Sequence, residues 1–453
     1  MIEHLTPAVR SAGLSRRIAL AGTLAAVASA TAVAAPQMLA PTPPAKDAGT
    51  TPAPAMTPAP TDSRAARRAA EATLAARYLV PPMVADEFGY RIVWQTEPQV
   101  TLDATAQAMN VTADSAWLGD SAGSVVRVRR DSGETVWRAS TIQGVERMIS
   151  IEHLPAAGQD NAYVITELGT TTLDAVTGEI MRRSRFSHLP ATEPTVFGPS
   201  MIFGTKTGLA CWYQYVTGYN WRATTVGGQV LGKVAISGET AIAAGTDGNV
   251  LAINAPNAAI LWTRKLSAGV EAATAVDDVA CYVAGLDQSL WAFDLMRGRV
   301  LWQYFTSTPL TNAPVRMGDG LYLQIPGEGL VAFTPLPQDK PDGEVQWKST
   351  AAGNVIGQVG TELMSWCRAS RTLSAVDAGT GRVIRTASLP KVEVIRFDRT
   401  AKNGVELLVS STDGRIQRLE PLAASGSRAA DRAARAAATA DDGAEPADAR
   451  AGE

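Results

Sequence analysis

A segment of about forty residues recurs through most of the chain. The run "GTDGNVLAINAPNAAILW", which ends at Trp262, aligns without a gap on "GLDQSLWAFDLMRGRVLW", which ends at Trp302. Each copy contains a turn with Asp, an apolar strand, a second polar turn that closes on a small residue, and then two apolar residues and Trp. A fixed period of this length is typical of repeat architectures, in which each unit packs on its neighbours.

The same template finds further copies on both sides of this pair, and Trp or Arg closes each of them. The closing positions are Trp94, Trp137, Arg182, Trp221, Trp262, Trp302, Trp347 and Arg385. A glycine precedes most of them by three or four residues, at Gly133, Gly178, Gly218, Gly298, Gly343 and Gly381. The segments are rich in β-branched residues and Gly turns, which indicates strands and excludes helical repeats.

The two ends of the series complement each other. After Arg385 the run "VELLVSSTDGRIQRLEPL" begins a repeat but lacks its Gly-to-Trp part, and that part stands at the front as "EFGYRIVWQT". An N-terminal strand over residues 88–95 that completes the last repeat would close a ring and remove its open edges. The sequence therefore predicts an all-β, eight-bladed β-propeller of four-stranded blades over residues 80–422, with seven blades as the alternative.

The form Asp-x-x-x-Gly-x-x-x-Trp resembles the pyrroloquinoline-quinone-type repeat of the quinoprotein-like β-propellers. We expect the Gly to permit the turn into the outermost strand and the Trp ring to pack between blades. Arg182 and Arg385 depart from the pattern, so those two junctions should pack differently. The resemblance is to a non-catalytic branch, such as the propeller subunit of the outer-membrane β-barrel assembly machinery, and it implies protein partners in the cell envelope.

The sequence shows no catalytic, cofactor-binding or metal-binding motif, and we expect no enzyme activity and no cofactor. Enzymes of the quinoprotein family carry an adjacent Cys-Cys pair, whereas Cys211, Cys281 and Cys367 stand apart. "GDSAGS" around Ser121 fits the Gly-x-Ser-x-Gly pattern, but a nucleophile elbow needs a helix next, and the strand-like "VVRVRR" follows. A quinone- or metal-dependent oxidoreductase is kept as an alternative function.

The composition and the aromatic residues indicate which classes of binding partner to expect. The net charge of −3 gives no reason to expect nucleic acid. Tyr213, Tyr215 and Tyr219 belong to the densest aromatic cluster of the chain, which packing mostly explains. If some of these tyrosines lie at a face, they could act as binding anchors, and a carbohydrate- or polymer-binding surface module is the second alternative function.

The two ends of the chain differ in composition from the repeats. Arginines precede the apolar run at residues 18–35, so residues 1–35 read as a signal peptide or a single-span anchor. Residues 36–62 are a Pro/Ala/Thr-rich linker, residues 63–79 a short helix, and residues 423–453 a tail too poor in large apolar residues to form a core. We expect an exported monomer, periplasmic or at the cell surface, with membrane contact at most through its N-terminal segment, that binds other proteins as a scaffold.

Overall fold

The computed structural model describes residues 76–98, 101, 103–141, 146–155, 158–398 and 405–422, together with Thr73. In the described residues a short helix, α1 (Pro82–Glu87), precedes strand β1 (Tyr90–Thr96) and thirty-one further strands. The expected signal or anchor, the linker and the tail lie outside the described residues, as does most of the helix expected at residues 63–79.

The strands form eight four-stranded antiparallel sheets, the blades of a β-propeller, which confirms the predicted fold. Blade 1 contains β2 (Ala106–Val111), β3 (Ser115–Asp120), β4 (Ser124–Arg129) and β5 (Thr135–Ser140). Blade 2 contains β6 (Met148–His153), β7 (Asn161–Thr166), β8 (Gly169–Asp174) and β9 (Ile180–Arg185). Blade 3 contains β10 (Thr195–Phe197), β11 (Ser200–Gly204), β12 (Leu209–Gln214) and β13 (Tyr219–Thr225). Blade 4 contains β14 (Ala235–Ser237), β15 (Thr240–Ala244), β16 (Asn249–Asn254) and β17 (Ile260–Lys265).

The second half of the ring repeats this order. Blade 5 contains β18 (Ala275–Val276), β19 (Ala280–Gly285), β20 (Ser289–Asp294) and β21 (Val300–Phe305). Blade 6 contains β22 (Val315–Met317), β23 (Gly320–Ile325), β24 (Gly329–Phe333) and β25 (Val345–Ser349). Blade 7 contains β26 (Asn354–Val359), β27 (Glu362–Cys367), β28 (Thr372–Asp377) and β29 (Val383–Ser388). Blade 8 contains β30 (Val394–Asp398), β31 (Glu406–Ser410), β32 (Ile416–Pro421) and the N-terminal β1.

The first strand of each blade lies at the axis of the ring and the last lies at its outer rim. The first strands of blades 1 and 2 contact each other, and β30 of blade 8 contacts β2 of blade 1, so the ring is closed. Because neighbouring strands are antiparallel, the turns between second and third strands and the connections to the next blade share one face, which we call the upper face. The turns between first and second strands and between third and outermost strands share the lower face.

The core lies between the blades rather than inside any one of them. All six residues of β3, β7 and β19, each a second strand, are buried because neighbouring blades cover both faces of the sheet. The outermost strands keep an exposed side, as in the alternating pattern of β5. Tyr282 of blade 5 and Phe333 of blade 6, for example, share one apolar cluster with Trp302. Each blade is therefore stabilised mainly by its neighbours.

Strand β1 closes the ring by pairing with β32, with Tyr90 opposite Pro421 and Trp94 opposite Arg418. The sequence placed this strand at residues 88–95, and the structure places it at Tyr90–Thr96. No turn of the chain connects β32 to β1, and α1, which the sequence did not predict, lies directly before β1. Ala85 and Phe88 are buried there in a cluster with Trp366 of blade 7.

A buried ionic network joins blade 8 to blade 1. Arg130, in the turn after β4, donates to Glu406 at 2.8 Å and also pairs with Asp398. Arg418 donates to Glu406 at 2.8 Å and to Glu420 at 2.6 Å, and it donates to the backbone carbonyl of Arg130 at 2.9 Å. Burial by itself raises the pKa of Glu406, but the hydrogen bonds and charges of the two arginines outweigh it, and the net pKa is lowered.

Candidate functional site

Five of the six tryptophans that close a repeat join their blade to the next one. Each lies on the outermost strand of its blade, and its indole N–H donates to a backbone carbonyl in the following blade. The pairs are Trp94 to Arg130 at 2.8 Å, Trp137 to Ala175 at 2.8 Å, Trp262 to Leu295 at 2.9 Å, Trp302 to Pro335 at 2.8 Å and Trp347 to Ala378 at 2.9 Å. The repeat Trp is thus both an apolar wedge and a hydrogen-bond donor across the junction.

The repeat Gly lies against the tryptophan of the preceding blade. The pairs are Gly133 with Trp94, Gly178 with Trp137, Gly298 with Trp262, Gly343 with Trp302 and Gly381 with Trp347. A Cβ at Gly298 would stand 2.5 Å from Trp262, which is closer than atoms can approach, and Gly298 also has a φ of +65°. The glycine is therefore required twice, for the left-handed turn and for the tryptophan ring that lies on it.

The repeat Asp holds the same turn from its other end. The Asp294 carboxylate accepts hydrogen bonds from the backbone N–H groups of Met296 at 3.1 Å and Arg297 at 2.8 Å. At the corresponding place in blade 2, the N–H of Thr177 is the largest cause of the lowered pKa of Asp174. This is the local bonding by which Asp favours turns.

The two arginines at closing positions form different junctions, as their departure from the pattern predicted. Arg182 replaces the indole with its guanidinium, which donates to the backbone carbonyls of Tyr215 at 2.7 Å and Val216 at 2.9 Å, and Gly218 lies beside it. Arg385 faces blade 8, pairs with Glu362 and lies over the Phe88 ring at 5.6 Å.

Trp221 does not make the contact that its position in the repeat predicts. Its indole N–H donates to the Ser200 hydroxyl of its own blade at 3.1 Å. The glycine position of the next blade holds Ala258, whose φ is +58°, and at other junctions a Cβ at this position would clash with the tryptophan ring. At this junction Trp212, on β12, makes the contact between blades instead. It is fully buried and its indole N–H donates to the Ala255 carbonyl at 2.9 Å.

The structure places two of the three candidate face tyrosines inside the protein. Tyr213 is fully buried and contacts Phe186 with ring centroids 4.8 Å apart, and Tyr215 is buried against Tyr163 at 5.2 Å. Tyr213 lies on β12 and Tyr215 directly after it, and both side chains pack between blades 2 and 3. Tyr213 and Tyr215 therefore do not lie at a face, and Tyr219, which is 53% exposed, is the accessible one of the three candidates.

Ser121 lies in the upper-face turn between β3 and β4, where its hydroxyl accepts the backbone N–H of Thr105 at 3.0 Å. A strand follows it, as expected for a turn between strands. His153 lies at the lower end of β6 and pairs with Asp160 at 2.6 Å. The serine and this histidine are therefore at opposite faces of the ring, and the fold does not bring them together.

Burial separates the three cysteines into two kinds. Cys211 and Cys281 are buried, and burial raises the pKa of each thiol to about 12. Cys367 is half-buried at the end of β27, and a hydrogen bond with Ser370 lowers its pKa. Among the described residues, no three His, Cys, Asp or Glu side chains converge as a metal site requires.

An exposed apolar surface spans the lower outer rim of blades 2 and 3. We define this rim patch by Val176, Ile180, Met181, Val216 and Tyr219, all of which are exposed. The bonds from Arg182 to the turn of blade 3 hold the two halves of the patch together. Exposed apolar residues that include an aromatic ring are typical of protein-interaction surfaces. Sequence reasoning found Tyr219 and missed the aliphatic members, because their exposure depends on the position of the outermost strands.

Comparison with known proteins agrees with the architecture. Residues 201–337, from blade 3 to blade 6, match a family model described as outer membrane protein assembly factor BamB. BamB from Moraxella catarrhalis is 17% identical, with a TM-score of 0.55 over 72% of this chain and 100% of that one. The computationally designed Ika8 protein is 12% identical, with a TM-score of 0.57 over 73% of this chain and 98% of that one. No curated protein matches the sequence.

The fold is thus a quinoprotein-type β-propeller that resembles the BamB propeller. At these identities the structural matches establish the architecture alone, and 1588 solved chains match, so the shape by itself does not identify a function. In the described part of the chain, no helix has the length and hydropathy of a transmembrane span.

Proposed function

We propose that the protein is an exported, non-catalytic propeller that serves as a protein-binding scaffold in the cell envelope, in the assembly of outer-membrane proteins. The observation that carries this proposal is the rim patch, where Met181 is 59% and Tyr219 53% exposed beside the Arg182 bridge between two blades. The resemblance to the BamB propeller supports the envelope role. The N-terminal sequence supports export.

The composition around the rim patch suits a protein partner. Arg183 extends from β9 beside the patch and is exposed. An apolar centre with arginine at its edge matches the composition of protein interfaces, in which aromatic residues, Met and Arg are enriched. The patch also belongs to a rigid ring, so a partner would order few side chains on binding, which favours affinity. The two alternatives, an oxidoreductase and a carbohydrate-binding module, gain no supporting observation from the described residues.

Photo-crosslinking in the native cells tests the proposal directly. A photoreactive amino acid is placed at Met181 or Tyr219, and at Phe305 as the control. Phe305 is a matched position because it lies on an outermost strand and is 66% exposed, but it belongs to blade 5. We expect discrete adducts with an envelope protein from the first two positions and none from the third.

The identity of the captured proteins decides the finer role. Recovery of outer-membrane assembly components, or of their barrel clients, at Met181 and Tyr219 would support the assembly role. Adducts with polysaccharide, with the protein itself, or equally from all three positions would overturn the proposal.

A further inference from the structure

A charged cavity of about 510 Å³ opens at the upper face of the ring. Its lining comes from the starts of the first strands and from upper-face turns of blades 1, 2, 3, 4 and 7. Blades so far apart in the ring can line one cavity only at its axis. We call this cavity the axial funnel and define it by Arg147, Glu193, Lys206, Leu231, Lys233 and Arg368.

Basic side chains outnumber acidic ones in the funnel. Arg147, Lys206, Lys233 and Arg368 line it, against Glu167 and Glu193. Lys206 is exposed and forms no ion pair with a described residue. Arg368 donates to Glu393 at 2.6 Å through Nε, yet its side chain remains 71% exposed. Arg147 lies 3.8 Å from Glu167, so three of the four lining cations have a carboxylate partner and Lys206 is the one without an ion pair to a described residue. The funnel therefore presents four cations, against two acidic groups in its lining, that remain accessible to a ligand.

Further charged groups lie close to the lining of the funnel. Lys233 lies 3.8 Å and Arg396 4.0 Å from the Glu193 carboxylate, so two cations share one anion. Burial raises the pKa of Glu152 to about 7, although Lys233 opposes the shift. At neutral pH Glu152 is thus only partly ionised, and the excess of positive charge is maintained along the axis.

We infer that the axial funnel binds an acidic, extended polypeptide segment. The positive groups come from separate blades, spaced around the cavity, which suits carboxylates spaced along a chain. Glu167 and Glu193 stand between them and would repel a uniformly charged phosphate polymer. Leu231 and Ile149 offer apolar contacts for the side chains between the carboxylates. This inference deepens the proposed function, since it rests on a protein partner and states the chemistry of one segment of it.

Fluorescence anisotropy with the full-length protein tests the inference. The probe is a short labelled peptide that alternates Glu with Leu, and its control replaces every Glu with Gln. We expect the Glu peptide to bind, the Gln peptide not to bind, and salt to weaken binding. Lys206→Glu should weaken the affinity for the Glu peptide by about tenfold, because it reverses a charge in the funnel.

Arg222→Glu is the matched control, since Arg222 is exposed on the outermost strand β13 and lies outside the funnel. It should leave the affinity unchanged. Lys206 is exposed and without an ion pair among the described residues, so its variant should unfold at the wild-type denaturant concentration. This measurement shows that lost binding is not lost folding.

Several outcomes would overturn the inference. They are equal binding of the Glu and Gln peptides, equal loss from Lys206→Glu and Arg222→Glu, or binding of polyphosphate but not of the Glu peptide at the funnel. The proposed function fails separately, because the crosslinks from Met181 and Tyr219 report on the rim patch, at the opposite face, and not on the funnel.

Discussion

The indole ring of Trp262 lies directly on Gly298 of the next blade. A Cβ at Gly298 would stand 2.5 Å from Cδ2 of Trp262, while the indole N–H donates to the Leu295 carbonyl at 2.9 Å. The same pairing recurs at four other junctions, so the most regular residues of the repeat bind neighbouring blades together. Stability should therefore be most sensitive at these junctions.

Replacing Gly298 with Ala, and comparing it with a control glycine, separates the cost of the left-handed φ from the cost of the tryptophan clash. The variant should lose about 3 kcal/mol of unfolding free energy, from the left-handed φ and from the clash with Trp262. Gly238→Ala is the control, because Gly238 has a φ of +54° and nothing within 4 Å of its added Cβ. It should cost only about 1 kcal/mol. Urea unfolding of both variants measures the difference, and equal losses would show that the tryptophan contact contributes nothing.

The junction between blades 3 and 4 should depend on Trp212 rather than on Trp221. Trp212→Phe removes a buried indole and leaves the Ala255 carbonyl without its donor, which should cost about 3 kcal/mol. Trp221→Phe removes a partly buried ring bonded to a hydroxyl of its own blade, and it should cost about 1 kcal/mol. Chemical denaturation of the two variants gives the order. The reverse order would mean that the repeat position, not the observed packing, determines stability.

The ionic network at the closure should make the protein sensitive to acid. Because the folded-state pKa of Glu406 is lowered, the unfolded chain takes up the proton first. The stabilisation is complete above the unfolded value, about 4.3, and is lost as the pH falls through the lower folded-state pKa. Glu406→Gln should cost about 3 kcal/mol near neutral pH, since it leaves Arg130 and Arg418 with less compensation.

Denaturant midpoints measured from pH 6 down to pH 3 test this network. The wild type should lose more stability over this range than Glu406→Gln, which lacks the titrating carboxyl. Parallel curves for the two proteins would contradict the role assigned to Glu406.

Thiol reactivity should separate Cys367 from the other two cysteines. Burial and a pKa of about 12 protect Cys211 and Cys281, while Cys367 is half-buried and has a lowered pKa. The native protein should react at one thiol, and the protein in guanidinium at all three. A colorimetric thiol titration measures both, and Cys367→Ser should abolish the native reaction. Persistence of that reaction in the variant would show that a buried cysteine becomes accessible.

The amino-acid sequence determined the number of blades and the way the ring closes. The turn with Asp, the Gly and the closing Trp are local signals repeated at a nearly constant spacing, and the part missing after Arg385 stands before residue 97. These features can be identified from the sequence alone, because each copy contains the same turn and strand residues. Helix α1 was missed, since its six residues are too few to show a helical periodicity.

Only the tertiary structure decided which side chains meet. In the structure Trp212 forms the junction of blade 3 with blade 4, and Tyr213 and Tyr215 are buried. Arg147, Lys206 and Arg368 line one cavity. None of these follows from the repeat, because each depends on which side of a strand faces the neighbouring blade. The funnel depends further on ring closure, which brings residues more than two hundred positions apart to the same axis.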